Sequence, residues 1–340
     1  MSYKLGQGHT DQPPTQPQLS FPSDGKTIFD TSRKLSWEAS SDPEGNSITY
    51  DVFLDKSEEP IKKVADSISK TNYDIFGLEK AYTYYWKVVA YDSNGNKSES
   101  LIWNFTPKKV ITFEDPNLEE VIRNKINKTS GDIYKSDVIN IFELKADDHN
   151  ISSIEGIQHL ENLEKLDLGK SFTSNNISNI SLLAKLTNLI GLSLAENQVS
   201  DITPLSNLTN LEALALHNNP IGEISPLSNL TNLKYLYLEN TQINSIDSLD
   251  NMNDMLKLDI RKNTISDIKP LANFTNLNYL LMQGNEITDI SSLVENSGID
   301  QGDRVDLSNN YLDLTDGSED MDDINTLLNR EVDLNYKPQN

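Results

Sequence analysis

Leu189, Leu211, Leu233, Met255 and Leu277 stand 22 residues apart, without a gap in the series. A fixed period of that length marks a solenoid, in which each repeat buries its apolar side against its neighbours. The repeat reads LxxLxLxxNxIxxIxxLxxLxx. Its third copy sets Leu189, Leu192, Leu194, Asn197, Val199, Ile202, Leu205 and Leu208. Two copies precede it, starting at Ile141 and Leu163, the second with a four-residue insertion at 171–174. An eighth, with Val305, Leu307 and Asn310, follows a three-residue insertion. The LxL segment alternates with period 2 and so predicts a strand with one buried face. The asparagine at the ninth position (Asn175, Asn197, Asn219, Asn263, Asn285, Asn310) can bond turn backbone and form a ladder through the stack, which His149 and Thr241 interrupt. The IxxI and LxxL spacings, with Pro204, Pro226 and Pro270, predict tight helical turns on the opposite side. The strands then line the inner side of an arc.

A capping helix is expected before the repeats, because Leu118, Val121, Ile122 and Ile126 share one helical face. Ile324, Leu327 and Leu328 suggest a second short helix in an acidic tail. The segments NQVSDITPLSNLTNLEAL and NTISDIKPLANFTNLNYL resemble the 22-residue leucine-rich repeats of the internalin family, and FEDPNLEEVIRNKINKTSGDIYKSDV resembles that family's helical N-terminal cap. The resemblance covers residues 111 to about 330.

Residues 17–107 have a different texture. Alternating segments (KLSWEAS, ITYDVFL, YTYYWKVVAYD, LIWNFTP) are broken by SSDPEGNS and DSNGNKSE, a pattern of an all-β sandwich with about seven strands. Trp37, Leu78, and Tyr84 followed by alternating Trp86, Val88 and Ala90 resemble a fibronectin type III domain, with Tyr84 as its tyrosine corner. The fold expected is therefore multidomain: a fibronectin type III or immunoglobulin-like β-sandwich, then a leucine-rich repeat solenoid with a parallel sheet on its concave face and short 3-10 turns on its convex face. The boundaries read 1–16 flexible leader, 17–108 sandwich, 111–140 helical cap, 141–312 about eight repeats, and 313–340 acidic C-terminal cap.

Charge follows the same division. Residues 1–110 hold 13 Lys+Arg against 15 Asp+Glu, and residues 111–340 hold 16 against 37, making the repeat half strongly acidic. The formal charge of −23 argues against nucleic acid and anionic lipid as partners. No apolar run is long enough to span a membrane. The opening MSYKLGQGHT shows no basic-then-apolar signal, and no wall-sorting motif is visible, so any export signal or anchor is expected outside this sequence. There is no cysteine. HExxH, GxSxG, GxGxxG and GxxxxGK[ST] are missing, and the four histidines have no ligand-like spacing, so neither enzyme chemistry, metal nor cofactor is expected. DSNGNK lacks the glycine and distal glutamate of a calcium loop and reads as a hairpin turn. The NLT sequons at Asn207 and Asn229 are spelled by the repeat itself.

Positions three, five, seven and eight of each repeat should reach the inner face or its rim. They carry eight acids and seven bases, close to neutral despite the acidic domain. Gly191, Ser193, Ala213 and Ala215 leave a hollow. Tyr235 and Tyr237 stand beside it, with His217 and Glu239 at the edge, then Asp259 and Arg261, then Tyr279 and Leu281. Tyrosine gives rigid apolar area with a polar tip, so these residues are the expected contact set. A protein ligand is expected there, of host or envelope origin as the internalin resemblance implies, with carbohydrate stacking on the tyrosines second and a structural spacer third. The insertion at Phe172 reads as a tolerated loop. The resemblance implies a bacterial protein, extracellular or in the cell envelope, and a monomer is expected.

Overall fold

The computed structural model describes residues 11–28, 33–79, 82–108, 110–169 and 175–340. The first ten residues of the expected leader, His9, Lys109, Lys170 and the insertion with Phe172 lie outside them. The chain forms two compact units, one ending at Val110 and one starting at Ile111.

The first unit is a β-sandwich. One sheet orders Gln18–Phe21, Arg33–Glu38 and Asn72–Ile75. The other orders Lys26–Ile28, Trp103–Pro107, Tyr84–Tyr91, Thr49–Asp55 and Lys63–Ile68, with Lys97–Glu99 paired to Tyr84–Tyr91. The sequence suggests about seven strands; the two extra are three-residue segments too short to show alternation. Trp37, Tyr84, Trp86, Val88, Ala90 and Phe105 are core residues. Tyr84 is a tyrosine corner: its hydroxyl accepts the Glu79 backbone N–H at 2.9 Å.

Residues 11–16 of the expected leader are hydrogen-bonded to the sandwich. The Asp11 carboxylate accepts side-chain amides from Asn46 (3.2 Å), Asn94 (2.7 Å) and Asn96 (2.7 Å). Thr15 N–H donates to the Ser41 carbonyl and Ser98 Oγ to that of Pro14. DSNGNK is a hairpin turn, with Asp92 accepting the backbone N–H groups of Asn94 and Asn96.

The second unit is the solenoid. Its cap helix, Pro116–Lys125, buries Leu118, Val121 and Ile122 against the first repeat. Asp115 caps that helix and also receives Ser152 N–H, Ser152 Oγ–H and Ser153 N–H, which ties cap to repeat. Eight repeat strands of three residues follow in one parallel sheet, Glu143–Lys145 through Arg304–Asp306. Leu144, Leu166, Leu192, Leu214, Leu236, Leu258, Leu280 and Val305 pair in strict register. Leu166 pairs with Leu192 and Leu280 with Val305, so neither insertion in the sequence shifts the register. On the convex side 3-10 turns recur at Thr203–Leu205, Ser225–Leu227 and Asp247–Leu249, with a short α-helix at Ser291–Glu295. Each turn begins two residues after a side chain that accepts its first N–H, such as Asp201, Glu223, Asp267 and Asp289.

The asparagine ladder is continuous in most rungs. Asn219 donates to the carbonyls of Leu194 (2.8 Å) and Leu216 (2.9 Å) and accepts Val199 N–H (2.9 Å). Thus one side chain closes its own turn and that of the preceding repeat. The residue just before a rung takes a left-handed conformation at Glu196, Asn218, Asn240, Lys262, Gly284 and Asn309, which suits the Asn and Gly found at four of them. Thr241 closes only its own turn, through Leu238 O. Ile221 N–H, deprived of a rung, turns to the Asn219 carbonyl.

The C-terminal segment holds the expected short helix and extends the sheet. Residues 313–340 hold the helix Glu319–Asn329, capped by Ser318, but then add a ninth sheet strand, Asp333–Asn335. Gln339 completes its turn as a ladder rung: it donates to Leu307 O (3.1 Å) and accepts Asn310 N–H (3.0 Å) and Leu312 N–H (3.3 Å).

Candidate concave binding face

The inner sheet divides into two unlike halves. At strands Glu143–Lys145 to Ala213–Ala215 it forms a hollow of about 330 Å³. Gly191, Ser193, Ala213 and Ala215 are its floor, Tyr237 stands on one side, and Lys145 and Lys165 on the other. The rim charges alternate, since Glu143 registers with Lys165 and Lys145 with Asp167. A Cβ on Gly191 would meet nothing closer than Lys165 Cγ at 3.8 Å, and its backbone is not left-handed. Packing therefore does not dictate glycine there; the emptiness is a property of the surface.

The other half is filled by its own contacts. Lys257 Nζ lies 5.1 Å from the Tyr237 ring centre and 4.1 Å from that of Tyr279, a cation–π sandwich. Arg261 pairs with Asp259 (2.6 Å) and Glu239 (2.8 Å), and Lys262 also reaches Glu239 (2.8 Å). The Asp259 hydrogen bond, more than the charge of Glu239, holds the Arg261 guanidinium protonated above its usual range. Leu281 and Asp259 are buried.

The expected contact residues thus separate. Gly191, Ser193, Ala213, Ala215 and Tyr237 converge on the hollow. Tyr235 is exposed by 40% but does not line it. His217 is half-buried at the rim, and its carbonyl receives Glu196 N–H. Glu239, Asp259, Arg261, Tyr279 and Leu281 belong to the filled half. Lys257 lies one strand from each tyrosine, as the 22-residue register places it, but sequence reading leaves it out of the contact set. It also misses Lys145 and Lys165 as hollow walls. Among the described residues no group of three or more His, Asp or Glu side chains is placed to hold a metal, and no helix is long and apolar enough to cross a membrane.

A fibronectin type III family model matches residues 20–106, and a leucine-rich repeat model of two copies matches 187–229 and 209–251. Among solved structures, the internalin InlF of Listeria monocytogenes is 29% identical over 66% of this chain and 68% of its own, with a TM-score of 0.52. Internalin C2 of the same organism is 33% identical over 55% of this chain and 91% of its own, with a TM-score of 0.46. The chain carries a fibronectin type III domain ahead of leucine-rich repeats, and it is similar to the internalins.

Proposed function

We propose that this protein is a non-enzymatic recognition module of a bacterial surface, anchored or secreted, that seats a protruding side chain of a protein partner in the concave hollow. The observation that carries the reading is the hollow itself, apolar-floored, walled by Tyr237 and not demanded by packing at Gly191. Solenoids bind through such concave surfaces, and a rigid tyrosine beside a small-residue floor is the kind of site that holds an anchor side chain. The placement at a bacterial surface rests on the similarity to the internalins.

Screening the whole chain on arrays of extracellular proteins and of glycans tests it. The reading expects a protein hit that loses about tenfold or more in affinity on Tyr237→Ala, since central aromatic anchors carry the largest share of interface energy. Salt should weaken such a complex only modestly, because the rim charges offset each other. Hits confined to glycans, or a complex indifferent to Tyr237→Ala, would sink it.

A further inference from the structure

A second hollow, larger than the concave one, lies elsewhere in the repeat unit. It lies along one flank, where the chain enters the strands, with a volume of about 580 Å³. Asn162, Asn188, Asn210 and Asn232 line it, one per repeat. Each donates one amide hydrogen to a carbonyl of the repeat before: Ile139 (2.9 Å), Glu161 (2.8 Å), Thr187 (2.9 Å) and Thr209 (2.8 Å). That bond fixes the plane of the amide. A primary amide has two donors and two acceptor sites, so every rung keeps one N–H and its Oδ1 for a ligand. The row is interrupted at the next repeat by Asp254, whose side chain has no N–H to offer, and resumes at Asn276, which donates to the Asn253 carbonyl at 2.9 Å.

Two apolar side chains rise beside the amides. Phe142 is 48% exposed and Ile190 37%, although both sit where the repeat demands no apolar residue; Glu164 and Glu212 take the same position in the alternate repeats. Glu212 pairs with Lys234 at 3.0 Å. The groove therefore combines an open aromatic face, fixed planar amides and carboxylate acceptors, with net negative charge.

We infer that this flank binds a neutral, extended pyranose oligosaccharide, with Phe142 against a sugar face and the asparagine row on the hydroxyls. Three features select that ligand. Anchored amides match vicinal hydroxyls, which both donate and accept. The carboxylates accept hydroxyl protons and repel uronic or sulfated sugars. The rungs repeat at the strand spacing of about 4.8 Å, close to the advance of one sugar, whereas an extended peptide presents same-face groups about every 6.6 Å. This site is separate from the concave hollow and does not rest on the protein-partner reading.

The test is titration of the intact, nitrogen-15-labelled protein with cellohexaose, chitohexaose and maltohexaose, read on side-chain amide resonances and on affinity. At least one sugar should saturably shift the amide pairs of Asn188 and Asn210. Phe142→Ala, exposed and harmless to folding, should weaken it about tenfold, as should Asn188→Ala, while Tyr237→Ala should leave it within about twofold. Unshifted amides with all three sugars overturn the inference. So does a binding that Phe142→Ala spares, or one that Tyr237→Ala abolishes, which would move the sugar to the concave face.

Discussion

The N-terminal and C-terminal halves of the solenoid share one backbone plan and differ in how their side chains are spent. Strands up to Ala213–Ala215 leave small groups and an open hollow, under a cap whose Asp115 is fully hydrogen-bonded. Strands from Tyr235–Tyr237 onward interlock their charges and rings with one another, and end in a cap crowded with acid. The repeat fixes which side chains face inward, but their mutual satisfaction decides which part of that face has interactions left for a partner. A count of exposed tyrosines would favour the second half; the geometry favours the first.

The largest expected effect tests the shared plan. Leu236→Ala, in the buried ladder at the junction of the halves, should cost about 2–5 kcal/mol, as truncation in a well-packed core does. Tyr235→Ala on the exposed face of the same strand should cost under about 1 kcal/mol. Equal shifts in denaturant midpoint would break the assigned register.

Next comes the interlocking of the second half. Asp259→Ala removes the buried acceptor of Arg261 and should cost about 1–3 kcal/mol in chemical denaturation. A neutral result would mean that the ion pairs there are decoration and that the two halves are equally free.

Acid should act oppositely on the two ends. Burial alone would raise the Asp115 carboxyl, but the hydrogen bonds of Ser152, Ser153 and Asn117 outweigh it and hold it below the usual range. Its contribution is present above the ordinary aspartate range and is lost as pH falls through the lowered folded value. In the C-terminal helix, burial, then the charge of Asp289, raises Asp323, and burial likewise raises Asp320 despite the N–H of Asp313. These two penalise folding at neutral pH, and the penalty is relieved as pH falls through their raised folded values. With the intrinsic pH dependence of exchange removed, protection should therefore rise in Glu319–Asn329 on mild acidification, and fall in Pro116–Lys125 only at lower pH. Asp323→Asn should slow exchange in its helix at neutral pH. Both ends loosening together on mild acidification would contradict the contrast.

The smallest effect concerns the floor. Gly191→Ala should be neutral or stabilising by up to about 1 kcal/mol, because a strand glycine gives up backbone entropy and there is room for the methyl. A clear destabilisation in thermal melts would show that packing, not surface function, dictates the hollow.

Much of this was legible in the residues. The period of 22 gives the sheet, its register and the inward face, and the ninth-position asparagines give the ladder, because these signals are local and repeated. The small floor beside Tyr237 was readable for the same reason. What escaped is non-local or disguised. Asp11 reaches Asn94 and Asn96 across 83 and 85 residues, with nothing in their spacing to suggest it. The ninth rung is written with Gln339 instead of asparagine, in VDLNYKPQN, which lacks the LxL signature. Two of the flank asparagines, Asn210 and Asn232, sit inside NLTN, where the glycosylation sequon and the repeat consensus mask them, while Asn162 and Asn188 stand in HLEN and KLTN. The register puts Lys257 between two tyrosine strands, but that its ammonium lies over both rings is a matter of side-chain packing that spacing does not state.

The most direct measurement is a paired titration of the protein partner found on the arrays against wild type and Ala213→Arg. That substitution fills the hollow and leaves the buried ladder untouched. The account expects affinity to fall by about a hundredfold or more with the melting temperature unchanged, as blocking an anchor pocket does. An unchanged affinity on a folded Ala213→Arg protein would contradict it and place recognition elsewhere on the molecule.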